Sequence, residues 1–209
     1  MKIIVFTFAL FTVFSNIASA SVSKINSQAN FSAAGTITQN TNFDTMSNFV
    51  SLSNPHTIGD LTFLSGSNLV VGSNTSYNPV RSVLAYNYWS PLPGSITGTH
   101  DLFGFDLGYL GQQSDISVNL STNMGNYSFL VHNPIIASAG LQFMGFQADV
   151  GELFTGFSLA SAIGDGSAPV ITDIQLGNAG TAVPEPDIYA TLLTGLGLMG
   201  FMLRRRRKA

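Results

Sequence analysis

Between residues 21 and 181, apolar side chains alternate with polar ones far more often than they recur at helical spacing. In the run from Asp115, Ile116, Val118 and Leu120 face one way, and Asp115, Ser117 and Asn119 the other. Tyr127, Phe129 and Val131 repeat that pattern, and Thr172, Ile174 and Leu176 oppose Asp173 and Gln175. A period of two puts alternate residues on opposite faces of a pleated strand. Residues 60–72 and 101–110 read as further strands bounded by Gly, and 141–150 and 152–160 as two strands joined by a turn near Gly151. Gly and Asn interrupt these runs at short intervals, the spacing of an antiparallel all-β domain.

A sheet with one apolar face must cover it, and with no helical periodicity in the chain a second sheet is the cover. The expected fold is therefore an antiparallel β-sandwich of jelly-roll, lectin-like kind over residues 56–181. A β-helix would need a fixed repeat, and none is present. Residues 21–55 are polar, with spaced Phe31, Phe43 and Phe49, and read as an N-terminal segment with an edge strand near Phe31 to Ile37. Residues 77–98 hold the only Trp, several Tyr and three Pro, and read as a long aromatic loop.

Both ends look like addresses. Lys2, the apolar run Ile3 to Phe14 and the small residues Ala18-Ser19-Ala20 make a secretory signal peptide over 1–20, cleaved after Ala20. Residues 188–203 carry no charge, and Arg204, Arg205, Arg206, Arg207 and Lys208 follow. As a helix that segment spans ~24 Å, short of a ~30 Å hydrocarbon core. Snorkelling cations at one end and Tyr189 at the other make up the difference. Positive residues stay cytoplasmic, so both topological signals send the domain outside.

Without its ends, the domain has an unusual charge. Lys24 and Arg81 stand against nine acids, a formal −7 that the basic tail masks in the whole-chain value of −3. Such a surface repels nucleic acid, which is bound through Lys and Arg at phosphates. The absence of Cys removes disulfides, thiolate zinc sites and Cys nucleophiles.

The C-terminal arrangement is similar to a known one. Pro184-Glu185-Pro186, a Gly- and Leu-rich apolar segment and an Arg cluster resemble the PEP-CTERM sorting signal of Gram-negative bacteria. The resemblance implies an exosortase partner in the inner membrane and processing near Pro184, Glu185 and Pro186 over the linker 182–187. It also implies release or transfer of the domain to the outer surface or matrix, with a role tied to exopolysaccharide or biofilm. The three residues are then recognition features of a substrate, not catalysts. Gly195, Gly197 and Gly200 match a dinucleotide-binding spacing, but lack the preceding strand and the following acid. They suit a helix face that lets another helix approach closely.

Candidate chemistry within the domain is sparse. There is no G-x-S-x-G elbow, and His56, His100 and His132 share no zinc-protease spacing. His100 and Asp101 are adjacent, so on a strand they point apart. Asp101 with Asp106, or Asp149 with Glu152, are carboxylate pairs of the type a glycosidase needs, though Gly151 makes the second pair read as turn chemistry. Asp60, Asp165 and Asp173 are the candidate ligands for a structural Ca²⁺, which favours carboxylate oxygens. Tyr86, Tyr88 and Trp89 are the candidate platform for a sugar, although their alternation equally suits a strand with a core Trp. The expectation is a non-catalytic exported domain with a structural or adhesive role. A carbohydrate-binding module is the alternative, and an extracellular polysaccharide hydrolase the third reading.

Overall fold

The computed structural model describes residues 21–46, 50–64, 69–72, 82–85, 91–111, 113–134, 140–161, 168–180 and 196. Residues 1–178 form one compact unit and 179–209 a second. The chain runs β1 (Val22–Ile25), α1 (Gln28–Ala34), β2 (Gly35–Thr41), β3 (Val50–Leu52), β4 (His56–Ile58), β5 (Leu61–Phe63) and β6 (Leu69–Gly72). It continues through β7 (Ser82–Ala85), β8 (Leu92–Ile96), β9 (Leu102–Leu110), β10 (Ile116–Thr122), β11 (Asn126–Val131), β12 (Gln142–Ala148), β13 (Phe154–Ser161) and β14 (Ala168–Ala179).

Two sheets result. Sheet A has eight strands in the order β1-β12-β9-β14-β7-β6-β3, with β2 also on β14. Sheet B has six, β11-β10-β13-β8-β5-β4. The two paths are antiparallel throughout. Alternation points Phe103, Phe105, Leu107 and Tyr109 of β9 inward, where they meet Val118 and Leu120 of β10 and Leu159 of β13 in one core. Phe rings lock the layers together: Phe103 lies 5.2 Å from Phe157, and Phe129 lies 4.9 Å from Phe146, each pair joining one sheet to the other. Each such side chain contributes about 1.5–3 kcal/mol by leaving water, and without disulfides this core must hold the domain together.

The outer faces differ. On sheet A, α1 lays Phe31 over Gly104 and Gly145, where an added Cβ would stand 2.9 Å and 2.5 Å from the ring. Phe31 is fully buried there. Ser27 caps the helix by accepting the Asn30 N–H at 3.2 Å. On sheet B, cross-strand register makes a row of Asn126, Ser121, Gly156, Ser95, Thr62 and Thr57. Beside it runs Ser128, Asn119, Ser158 and Pro93.

Several expectations need correction. Residues 21–55 are not a separate segment: β1 pairs with β12, β2 with β14 and β3 with β6. Phe31 sits in a helix rather than an edge strand, and Phe43 is fully buried in the core. The aromatic stretch contains two strands, β7 and β8. Strands β12 and β13 do follow one another through Gly151, at φ 82°, but they belong to opposite sheets. In β14 an extra residue breaks the alternation. Asp173, at φ 45°, lies in the register shift between Thr172 and Gln175, so Ile171, Ile174 and Leu176 share the core and Thr172 does not.

The register places both ends of the sandwich chain together. Val22 pairs with Ala148, and Gly177 with Leu102, so Ser21 and Asn178 lie at the end formed by residues 97–101, 122–125 and 149–153.

Candidate functional site

Among the described residues, polar side chains gather in four places. The first lies at the end where the chain enters and leaves. Gly98, at φ 86°, turns the β8–β9 connection, and the Phe154 N–H donates to the His100 carbonyl at 2.8 Å. The buried His100 ring then reaches across to sheet B. Its Nε2 lies 2.8 Å from Asp60 Oδ2, and its Nδ1 3.4 Å from Thr38 Oγ1. The carboxylate only accepts, so Nε2 carries the proton in that bond. The Thr38 hydroxyl is also placed to donate to the Leu176 carbonyl at 3.2 Å. Gln39 completes the join, donating to Ile58 O at 3.0 Å and accepting from the Asp60 N–H at 2.9 Å. The order of hydroxyl, imidazole and carboxylate is that of a hydrolytic triad, but its work here is to tie β2, the β8–β9 turn and sheet B together. The neighbouring Asp101 accepts from Ala148 and donates to Gly177 through its backbone.

The second place is a buried carboxyl beneath the β10–β11 turn. Glu152 is fully buried. Thr122 and Tyr127 donate to its Oε1 at 2.5 Å and 2.7 Å, while Oε2 has no partner among the described residues. The bond to Glu152 is the main reason the Tyr127 phenol is pushed up to about 12. Asp149 accepts from the Val150 N–H at 2.8 Å, and its own N–H donates to Ser21 O at 3.0 Å. The pair Asp149 and Glu152 thus serves the turn and the chain entry, rather than facing across a cleft.

The third place is on sheet A. Asp106 of β9 stands opposite Thr172 of β14. Burial, then the nearby Asp173 charge, raises its carboxyl to about 6. Asp173 is itself raised, by burial and by Asp44. The Thr172 hydroxyl is buried without a partner among the described residues. At the far end of the sandwich, Asp115 accepts from His132 Nδ1 at 2.7 Å and from the Asn133 N–H at 3.1 Å. Those bonds, the backbone one first, lower its carboxyl from the usual range.

Two of the three candidate Ca²⁺ ligands are among the described residues. Asp60 is engaged by His100, Asp173 sits near Asp44 and Asp106, and Asp165 lies outside the described residues. Among the described residues no three His, Asp or Glu side chains are grouped to hold a metal. Tyr86, Tyr88 and Trp89, the candidate sugar platform, also lie outside them. So do Pro184, Glu185, Pro186 and Arg204 to Lys208. Among the described residues no helix is long and apolar enough to cross a membrane; of the segment 188–203 only Leu196 is described. Sequence reasoning missed the Asp60–His100 contact, whose partners are forty residues apart. It also missed the burial of Glu152, which the apolar residues following it (Leu153, Phe154) hinted at.

No curated protein matches the chain by sequence. Among solved structures it is similar to a mutant family 29 carbohydrate-binding module complexed with cellulohexaose. That match has 10% identity and a TM-score of 0.40, over 63% of this chain and 90% of that one. It is also similar to the CBM22-1 xylan-binding domain from Paenibacillus barcinonensis Xyn10C. There the identity is 12% and the TM-score 0.40, over 70% of this chain and 98% of that one. At the C-terminus the match is to a family model rather than a structure: residues 182–207 are a PEP-CTERM protein-sorting motif.

Proposed function

We propose that this is an exported, exosortase-processed protein whose β-sandwich serves a structural or adhesive role in the surface layer or extracellular matrix of a Gram-negative bacterium. The observation that carries the reading is the sorting motif over residues 182–207. Its parts have a physical logic. The uncharged segment 188–203 halts in the bilayer, Arg204 to Lys208 hold its end on the cytoplasmic side, and Pro184, Glu185 and Pro186 stand outside for the processing enzyme. The signal peptide 1–20 delivers the domain to that outer side. The His100 and Glu152 clusters support a non-catalytic cargo, because their side chains bond one element of the sandwich to another. Its acidic surface favours neutral over anionic polymers, and an exopolysaccharide is the partner proposed for it. A Ca²⁺ brace through Asp60, Asp165 and Asp173 belongs to the same proposal. Melting the chain in Ca²⁺ and in EDTA tests that brace, and identical midpoints remove it.

Intact-mass spectrometry of the protein recovered from a host with and without its exosortase tests the main reading. The expected species with the enzyme lacks residues 1–20 and everything beyond the Pro-Glu-Pro region. An uncut tail on the mature protein in the enzyme-containing host overturns the proposal. A glycan array with the processed protein then tests the polysaccharide partner, which is lost if no neutral glycan binds saturably.

A further inference from the structure

We propose that the domain self-associates through β11, the outer strand of sheet B, and that the occupant of this edge is a second copy of the same chain. Among the described residues β11 pairs only with β10, over six consecutive residues and without a register shift. An unpaired edge is a template for another strand unless it is shortened, charged, kinked or covered. The other edges are managed in those ways. Strand β1 carries Lys24, β3 and β4 have three residues each with Pro55 just before β4, and Gln39 of β2 is bonded to the β4–β5 turn. Among the described residues, strand β11 has none of these devices. Its sequence, Asn126 to Val131, holds no charge and no Pro.

Charge decides the occupant. Two copies of a domain with a formal −7 repel each other over most of their surface. The six strands of sheet B contain no Asp, Glu, Lys or Arg at all, so this side brings copies together with the least repulsion. Asp115, near the end of the edge, is already occupied by His132 and the Asn133 N–H.

Side chains fix the register. Residues facing each other across an antiparallel pair must lie on the same side of the sheet. A two-fold axis at Ser128 meets this rule. It sets Ser128 opposite itself, Asn126 opposite Leu130, and Tyr127 opposite Phe129 twice over. Aromatic cross-strand pairs of that kind stabilise a sheet. Leu130, 49% exposed, then lies one step from Met124 of the other copy, which is 54% exposed. The two exposed apolar side chains of this hairpin thus find each other. The product is a continuous twelve-stranded sheet with an uncharged outer face.

This inference stands apart from the sorting proposal, since its test uses purified chain and no processing enzyme. The chain has no Cys, so in the full chain in detergent a Ser128→Cys variant carries a single thiol. Mild oxidation is expected to give a covalent dimer well ahead of Ser158→Cys, which places the thiol two strands inside the same face. Ser128→Glu and Ser128→Lys each put like charges opposite one another. Each is expected to weaken the dimer about fivefold or more in sedimentation, and a one-to-one mixture to restore it. A change acting only through net charge would move the two variants in opposite directions, and association driven by the C-terminal segment would ignore both. Either result overturns the proposal, as does equal cross-linking at Ser158 or a monomeric wild-type chain.

Discussion

The two sheets of this sandwich share a core but treat their outer faces in opposite ways. Sheet A is layered over. Helix α1 buries Phe31 against it, and its strands carry Lys24, Asp106 and Asp173. Sheet B is bare, its outer rows built mainly from Ser, Thr, Asn and Gly, with Pro93 and Leu130, and without an ionisable carboxyl or amine. Their acids differ too. Glu152, which leads into β13, is fully buried and held on one oxygen by two hydroxyls. Asp106 is half-buried, and burial and then the Asp173 charge both raise its carboxyl. In sheet A, burial of the outer face is the stabilising device. In sheet B, smallness and neutrality leave the face available.

If that contrast is right, the largest effect comes from removing the cover of sheet A. Phe31→Ala empties a fully buried site over Gly104 and Gly145 and is expected to cost about 3–5 kcal/mol in chemical denaturation. Gly145→Ala attacks the same contact from below, since its Cβ would stand 2.5 Å from the Phe31 ring, and it should destabilise as well. Ser158→Ala, on the outer face of sheet B, is expected to stay within about 0.5 kcal/mol of wild type. Equal losses at Phe31 and Ser158 would erase the distinction between the faces.

How much of this was legible beforehand varies by element. The alternation in β10 and β11 could be read directly, because each strand buries one face only: Ile116, Val118 and Leu120 lie inside and Ser117 and Asn119 outside. Helix α1 was hidden because its seven residues present a single buried apolar side chain, too few for a helical period. Thr172 was put on the wrong face because the bulge at Asp173 adds a residue that no local pattern announces. Strands β12 and β13 were found, yet their assignment to opposite sheets depends on partners far along the chain. For the candidate sites, composition pointed to acids but not to their company. Asp60 meets His100, and Glu152 meets Tyr127, only after the sheets have assembled.

The buried carboxyl of sheet B gives the next effect. Thr122→Val removes a hydroxyl that donates to Glu152 Oε1 and accepts from the Met124 and Gly125 N–H groups at 3.2 Å and 3.0 Å. Leaving a buried carboxyl with one donor fewer is expected to cost about 1–3 kcal/mol. A spectroscopic titration checks the same contact from the other side. Tyr127 should ionise near pH 12, and the Thr122 variant should keep that late phase while Tyr127→Phe deletes it.

The smallest effect has the opposite sign. Asp106 is raised from 3.8 to about 6 in the folded chain. Between those values the folded state holds a proton that the unfolded state has released. Its contribution therefore turns unfavourable as pH rises through that window, and stays so above it. A displacement of that size is worth about 3 kcal/mol for a fully buried group; water screening of a half-buried one leaves about 1 kcal/mol. Asp106→Asn should accordingly stabilise the chain by about 1 kcal/mol at pH 7, with the gain fading toward pH 4. Denaturation midpoints of wild type and variant at both pH values decide the matter. Curves that stay parallel across the window would show that the acids of sheet A are as well accommodated as the Glu152 carboxyl beside sheet B, and the contrast would then rest on Phe31 alone.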